Sequence, residues 1–198
     1  MSDCELSSNT GEHGTISALV KKCNGILIGL SHVRHQIPSD LLPTLVNALV
    51  LSHVRYCLAV YGNGPEKNIQ RLQKILNFAL RVVSGRRKFD HISDVREELG
   101  WPLARQLYQL HSVNFLHKML VTGEPQALAS QVQINSSLRS RSTRQDTDLA
   151  LPRVRTEAGR RRHLYSIVKL YNTLPQKVRD LSLAAFKREL GSHLVGIG

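Results

Sequence analysis

The sequence predicts a mainly α-helical protein: a helical bundle, then an arginine-rich loop or extended segment, then C-terminal helices. Two observations carry that prediction. Apolar residues recur at the three-and-four spacing that places them on one side of a helix, as far as about Gly123 and again from Leu164. Proline, glycine and Ser-Asp signals that start or stop helices stand between the periodic runs. With 198 residues, 41% of them apolar, the chain can build the core of one ordinary domain or two small ones.

After a polar tail, residues 1–15, expected to be disordered, Ile16, Leu19, Val20, Cys23, Ile26, Leu27 and Leu30 form the stripe of a first helix. Pro38, Ser39 and Asp40 mark a boundary and an N-cap. A second helix follows on Leu42, Leu45, Val46, Leu49, Val50, His53, Val54 and Cys57, stopping near Gly62, with Pro43 in the first turn where proline is tolerated. Asn63-Gly64-Pro65 is a turn, and Ile69, Leu72, Ile75, Leu76, Ala79, Leu80 and Val83 repeat as a third amphipathic helix ended by Gly85. His91-Ile92-Ser93-Asp94 opens a short helix that Gly100 stops. Pro102 starts a longer one carrying Leu103, Leu107, Leu110, Val113, Leu116 and Leu120.

Residues 16–130 thus read as one helical bundle, with an extra turn around Ala127. Residues 131–158 are rich in Ser, Thr and Arg, with Leu149-Ala150-Leu151-Pro152 as an apolar island, and read as loop or extended structure. Residues 159–198 form a C-terminal helical extension on Leu164, Ile167, Val168, Leu170 and Tyr171. It halts at Leu174-Pro175 and resumes after Ser182 through Phe186, Leu190 and Leu194.

The balance of 27 basic against 15 acidic residues gives a net charge of +12 and a pI near 10.1, which favours polyanions as partners. The start of the chain is polar and acidic, unlike a secretory signal, and no apolar run approaches a membrane span of roughly 18 residues. An intracellular protein, nuclear or cytoplasmic, with no membrane partner is expected. Cys4, Cys23 and Cys57 are odd in number and widely separated, so free thiols in a reducing compartment are expected.

The basic residues are concentrated. Arg139, Arg141, Arg144, Arg153, Arg155, Arg160, Arg161 and Arg162 face only Asp146, Asp148 and Glu157, and no lysine falls among them. Guanidinium forks bind phosphate bidentately and stack on bases, which lysine cannot do, so nucleic acid is the first partner considered. A solvated loop is the alternative, and Gly159-Arg160-Arg161-Arg162 also fits part of a nuclear import signal. On the third helix Lys67, Arg71, Lys74 and Arg81 fall together opposite the apolar stripe with Phe78 among them, an arrangement suited to a phosphate backbone with a base or sugar on the ring. It equally suits a solvated face whose Phe78 packs on a neighbouring helix. Arg86, Arg87 and Lys88 follow that helix directly, where they bind phosphate or complement the negative end of its dipole. His32 with His35, and His111 with His117, lack partners at ligand spacing, so no metal or other cofactor is expected. No glycine-rich phosphate loop, Gly-x-Ser-x-Gly or His-Glu-x-x-His is present.

A series of short motifs carries a resemblance. Tyr56-Cys57 through Tyr61-Gly62, Arg71-Leu72-Gln73-Lys74-Ile75, Leu99-Gly100-Trp101, Ser142-Thr143-Arg144, Tyr171-Asn172-Thr173-Leu174-Pro175 and Phe186-Lys187 occur in that order. From about Ile16 to Leu194 the chain resembles the region downstream of the polymerase palm in non-LTR (LINE-like, Jockey type) retrotransposon reverse transcriptases. Tyr171 stands where relatives often have Trp. The resemblance implies a thumb-like bundle gripping a template-primer duplex of RNA and/or DNA, then an extension holding the arginine stretch. It also implies an upstream or separate polymerase palm as partner. The palm's adjacent aspartates are missing from this chain, and without their metal-binding oxygens it is not expected to polymerise DNA alone. The reading is a C-terminal, nucleic-acid-binding fragment, a truncated copy or the end of a longer frame. The alternative is a helical protein-interaction module that meets an acidic partner.

Overall fold

The computed structural model describes residues 10–56, 58, 64–135, 147–156, 159 and 163–195. The protein is mainly helical, as the periodicity predicts. Among the described residues, strand-like pairing is confined to one antiparallel bridge, between Ile134 and Leu149. The chain divides into two compact units between Arg105 and Gln106.

In the N-terminal unit, α1 (Thr10–Val33) ends in a single 3-10 turn, Arg34–Gln36. The helix begins at Thr10, inside the segment expected to be a tail; residues 1–9 lie outside the described residues. Ile16, Cys23 and Leu27 are buried along it. Burial raises the Cys23 thiol's pKa, against a smaller opposing effect of Lys22, so this free cysteine is an inert core residue.

The second predicted helix runs as α2 (Leu41–Val46), a π-helical turn (Asn47–Leu51) and α3 (Ser52–Arg55). Buried residues Leu42, Val46, Val50, Val54 and Leu58 recur every fourth position, with Leu51 buried beside Val50 in the π turn. Each such step overshoots a 3.6-residue turn by about 40°, and the wider π turn absorbs part of that drift. Leu49, counted in the apolar stripe, is instead 44% exposed. Pro65 precedes α4 (Glu66–Ser84), whose buried face is Ile69, Leu72, Ile75, Leu76, Ala79, Leu80 and Val82.

Helix α1 packs chiefly on α4, with α2 adding to the α4 contact. Arg71, near the start of α4, donates to Ser17 Oγ near the start of α1 at 3.1 Å, while the Arg34 guanidinium just beyond α1 lies against Gly85 just beyond α4. The two helices therefore run parallel and end side by side. Gly85 sits at φ 74° with its N–H donating to the Arg81 carbonyl at 2.8 Å, a left-handed C-cap that glycine adopts without strain. Any Cβ there would collide with Arg34. Beyond it α5 (Ser93–Glu98) covers Leu80 with Ile92 and Val95, and Leu99 and Trp101 pack on that cluster.

The unit boundary falls inside α6 (Ala104–Thr122), within the span 16–130 that the periodicity groups as a bundle. The reason is the direction of burial. Val113, Leu116 and Met119 of α6 share a core with Leu149, with Ile167, Val168 and Tyr171 of α8 (His163–Asn172), and with Leu174. Val178 of α9 (Gln176–Arg179) and Phe186 and Leu190 of α10 (Leu183–Val195) complete it. A short α7 (Gln126–Ala129) stands at the predicted extra turn. Residues 131–134 and 147–156 are not helical, and the Asn172 side chain clamps Leu149 on both sides, donating to its carbonyl at 2.9 Å and accepting from its N–H at 3.0 Å.

Candidate nucleic-acid interface

The concave feature that gathers predicted residues is a cavity of about 510 Å³ in the N-terminal unit, lined by Ser31, Arg34, Phe78, Arg81, Val82, Arg86 and Lys88. Three segments build it. The last turn of α1 gives Ser31 and the 3-10 turn gives Arg34; the last two turns of α4 give Phe78, Arg81 and Val82; the segment released by the Gly85 reversal gives Arg86 and Lys88.

The cations are not equivalent. Arg86 grips both carboxylate oxygens of Asp94, one at 2.6 Å, and also donates to the His91 carbonyl. That hydrogen-bonded pairing raises the Arg86 pKa and holds the Asp94 carboxyl below the usual carboxylate range. Arg81 is fixed by backbone, donating from Nε to the Arg87 carbonyl at 3.2 Å and from Nη1 to the Asn77 carbonyl at 3.3 Å. Lys88 Nζ lies 5.4 Å from the centre of the exposed Phe89 ring. Among the described residues no carboxylate pairs with Arg34, Arg81 or Lys88, and none lines the cavity.

Helix capping offers a bland account of these charges, and magnitudes decide against it. The C-terminal ends of α1 and α4 together present roughly one negative charge, about half from each macrodipole. Three cations without an acidic partner exceed what those two ends need, so the site holds spare positive charge in a partly sheltered place.

The structure thus brings Phe78, Arg81, Arg86 and Lys88 together and adds Ser31 and Arg34, which the sequence reading missed. The signal for Arg34 was the basic end of the first helix, where it stands between His32 and His35. Lys67 and Lys74 are exposed further back on α4, and Arg71 is half-buried against α1. Lys67, Lys74 and Arg81 stand at seven-residue steps, so this row spans about 21 Å along the helix, close to six nucleotides of duplex rise. Arg87 is exposed outside the cavity, its N–H donating to Asp90 at 2.7 Å.

Arg153 and Arg155 are exposed in the C-terminal unit, in a stretch without regular structure. Arg139, Arg141, Arg144, Arg160, Arg161 and Arg162 lie outside the described residues, as do Cys4, Cys57, Asp146 and Glu157. The Tyr171 to Pro175 motif and Phe186 have structural roles in the C-terminal core. Asp148 pairs with Arg179 at 2.9 Å, an ion pair that also ties down the start of the Leu149 segment. Among the described residues no cluster of three His, Cys, Asp or Glu could hold a metal, and no helix is long and apolar enough to cross a membrane. No protein-family model, curated protein or solved structure matches the chain.

The Asp94 pairing supports a direct prediction. Substituting Asp94→Asn should release the Arg86 guanidinium into the cavity, tightening polyanion binding and steepening its log–log salt dependence by about one. Fluorescence anisotropy with a labelled oligonucleotide at several salt concentrations checks this.

Proposed function

We propose that this chain is a nucleic-acid-binding module that holds phosphate through lysine and arginine with little reading of base sequence, the C-terminal part of a retrotransposon-type reverse transcriptase without its catalytic palm. The observation that carries the binding claim is the cavity where Arg34, Arg81 and Lys88 stand around Phe78 with no acidic partner among the described residues. The Lys67, Lys74 and Arg81 row extends the same helix with the spacing of a backbone, and the charge of +12 supplies the long-range attraction. The polymerase assignment is supported by the ordered motifs alone, and reading the genomic frame before Met1 for an Ala-Asp-Asp segment tests it.

Phosphate contacts release counterions, so each one lost lowers the salt slope by about one and weakens binding evenly across sequences. The double variant Lys67→Gln, Lys74→Gln should therefore reduce the log–log slope by about two while leaving base preference unchanged. An unchanged slope would remove the α4 row from the interface.

A further inference from the structure

The cavity is larger than a phosphate backbone needs. A backbone crossing a helix face asks for cations in a row, which Lys67 and Lys74 already provide, whereas a space of about 510 Å³ with an aromatic wall falls in the range of about 300–1,000 Å³ typical of pockets for small organic ligands. From this geometry we infer that the cavity receives one unpaired nucleotide of a bound strand, its base against Phe78 and its phosphate on Arg34 and Lys88. The inference rests on the nucleic-acid reading above and adds to it which part of the nucleic acid enters.

The lining supplies a matching group for each part of a nucleotide. Phe78 and Val82 are the apolar wall, and a flat ring stacks on any base regardless of identity. The Arg34 guanidinium stands at the cavity edge beyond the α1 end, where its planar fork can take a phosphate or cover the base's second face. Arg81 is positioned by two backbone carbonyls through Nε and Nη1, which leaves Nη2 for an anion. Ser31 donates its hydroxyl proton to the Ile28 carbonyl at 2.7 Å, so its oxygen presents lone pairs as an acceptor for a ribose hydroxyl or an exocyclic amine. Arg86 is bound to Asp94 and contributes charge and shape more than a free donor.

A base paired within a duplex cannot enter such a space without first leaving its stack and its partner. An overhang has already lost its pairing. The cavity should therefore favour a strand end or junction over a blunt duplex.

The test compares three labelled probes of the same duplex with the full chain at fixed salt: blunt, with a three-nucleotide overhang, and with the same overhang made abasic. Each overhang is prepared as DNA and as RNA. The base overhang in either chemistry should bind roughly 10-fold tighter than the blunt duplex, and the abasic overhang should lose most of that gain, since the gain comes from stacking one base on the ring. Adenosine monophosphate at millimolar concentration should compete with the base overhang more strongly than inorganic phosphate does. Phe78→Leu, which keeps an apolar side chain and removes the flat ring, should abolish the advantage of the base overhang over its abasic counterpart. Equal affinity for all three probes overturns the inference while the phosphate-contact reading stands on its salt slope. Absence of salt-sensitive binding to any probe overturns both. If the Phe78 variant melts early by circular dichroism, the comparison of the three probes on the unaltered chain still decides.

Discussion

Replacing Phe186 by alanine should destabilise the C-terminal unit by about 3–5 kcal/mol, the usual cost of removing a fully buried aromatic side chain. Phe186 has no exposed surface, and its ring stacks on His117 with centroids 3.7 Å apart and planes 13° from parallel. Tyr171 flanks both rings at 6.2 Å. Loss of the phenyl leaves a cavity beneath His117, whose two ring nitrogens are held by the Tyr171 hydroxyl at 3.0 Å and the Leu181 carbonyl at 3.1 Å. Water entering that space would compete for both bonds, so the loss exceeds simple transfer of the ring. Phe186→Leu, which keeps most of the volume, should cost less than half as much. Hydrogen exchange on the full chain reads the effect by region: protection should fall in α8 and α10 and persist in α4. Because the Lys67, Lys74 and Arg81 row and the cavity belong to the other unit, the proposed salt-sensitive binding should survive the substitution.

Acid should weaken the same unit before it titrates ordinary carboxylates. Burial pushes the His163 imidazole from 6.5 down to about 4, and its Nδ1 has no hydrogen-bond partner among the described residues. His117 is lowered too, chiefly by burial and against the raising effect of its bond to Leu181. A carbonyl can only accept, so Nε2 of His117 carries the proton and Nδ1 accepts from Tyr171, whose hydroxyl is itself kept protonated by a pKa raised by burial to about 12. The fold holds both rings neutral, whereas the unfolded chain takes up protons near pH 6.5. Stability is therefore complete above about pH 6.5 and declines as the pH falls toward 4, and the His163 difference corresponds to about 3 kcal/mol at the end of that window. Urea melts at pH 7.5, 6, 5 and 4 followed through C-terminal unit signals measure it. His163→Gln should remove most of the slope; a stability that stays flat between pH 6.5 and 4.5 would contradict the account.

How far the sequence reached follows from what its signals encode. Periodicity reports a helix and its buried face, so α1, α4, α6, α8 and α10 were legible, as were the stops at Gly85 and Gly100, whose φ values of 74° and 61° explain the residue choice. Periodicity does not report partners. The core shared by Met119, Leu149 and Phe186 joins residues far apart in the chain, so the division inside α6 was hidden. The Asn172 clamp on Leu149 was hidden for the same reason, although both residues stood in the reading as parts of an apolar island and a motif. In the candidate site, helical projection found Phe78 and Arg81, and direct succession found Arg86 and Lys88. Ser31 and Arg34 escaped because they reach the cavity only through the parallel packing of α1 on α4, which no local pattern specifies.

The central claim is that this chain holds nucleic acid by its phosphates, and the dependence of affinity on salt measures that most directly. For the full chain with a 20-base-pair duplex between 50 and 300 mM salt, neutralising about six phosphates gives a log–log slope near −5. A slope near zero would contradict it.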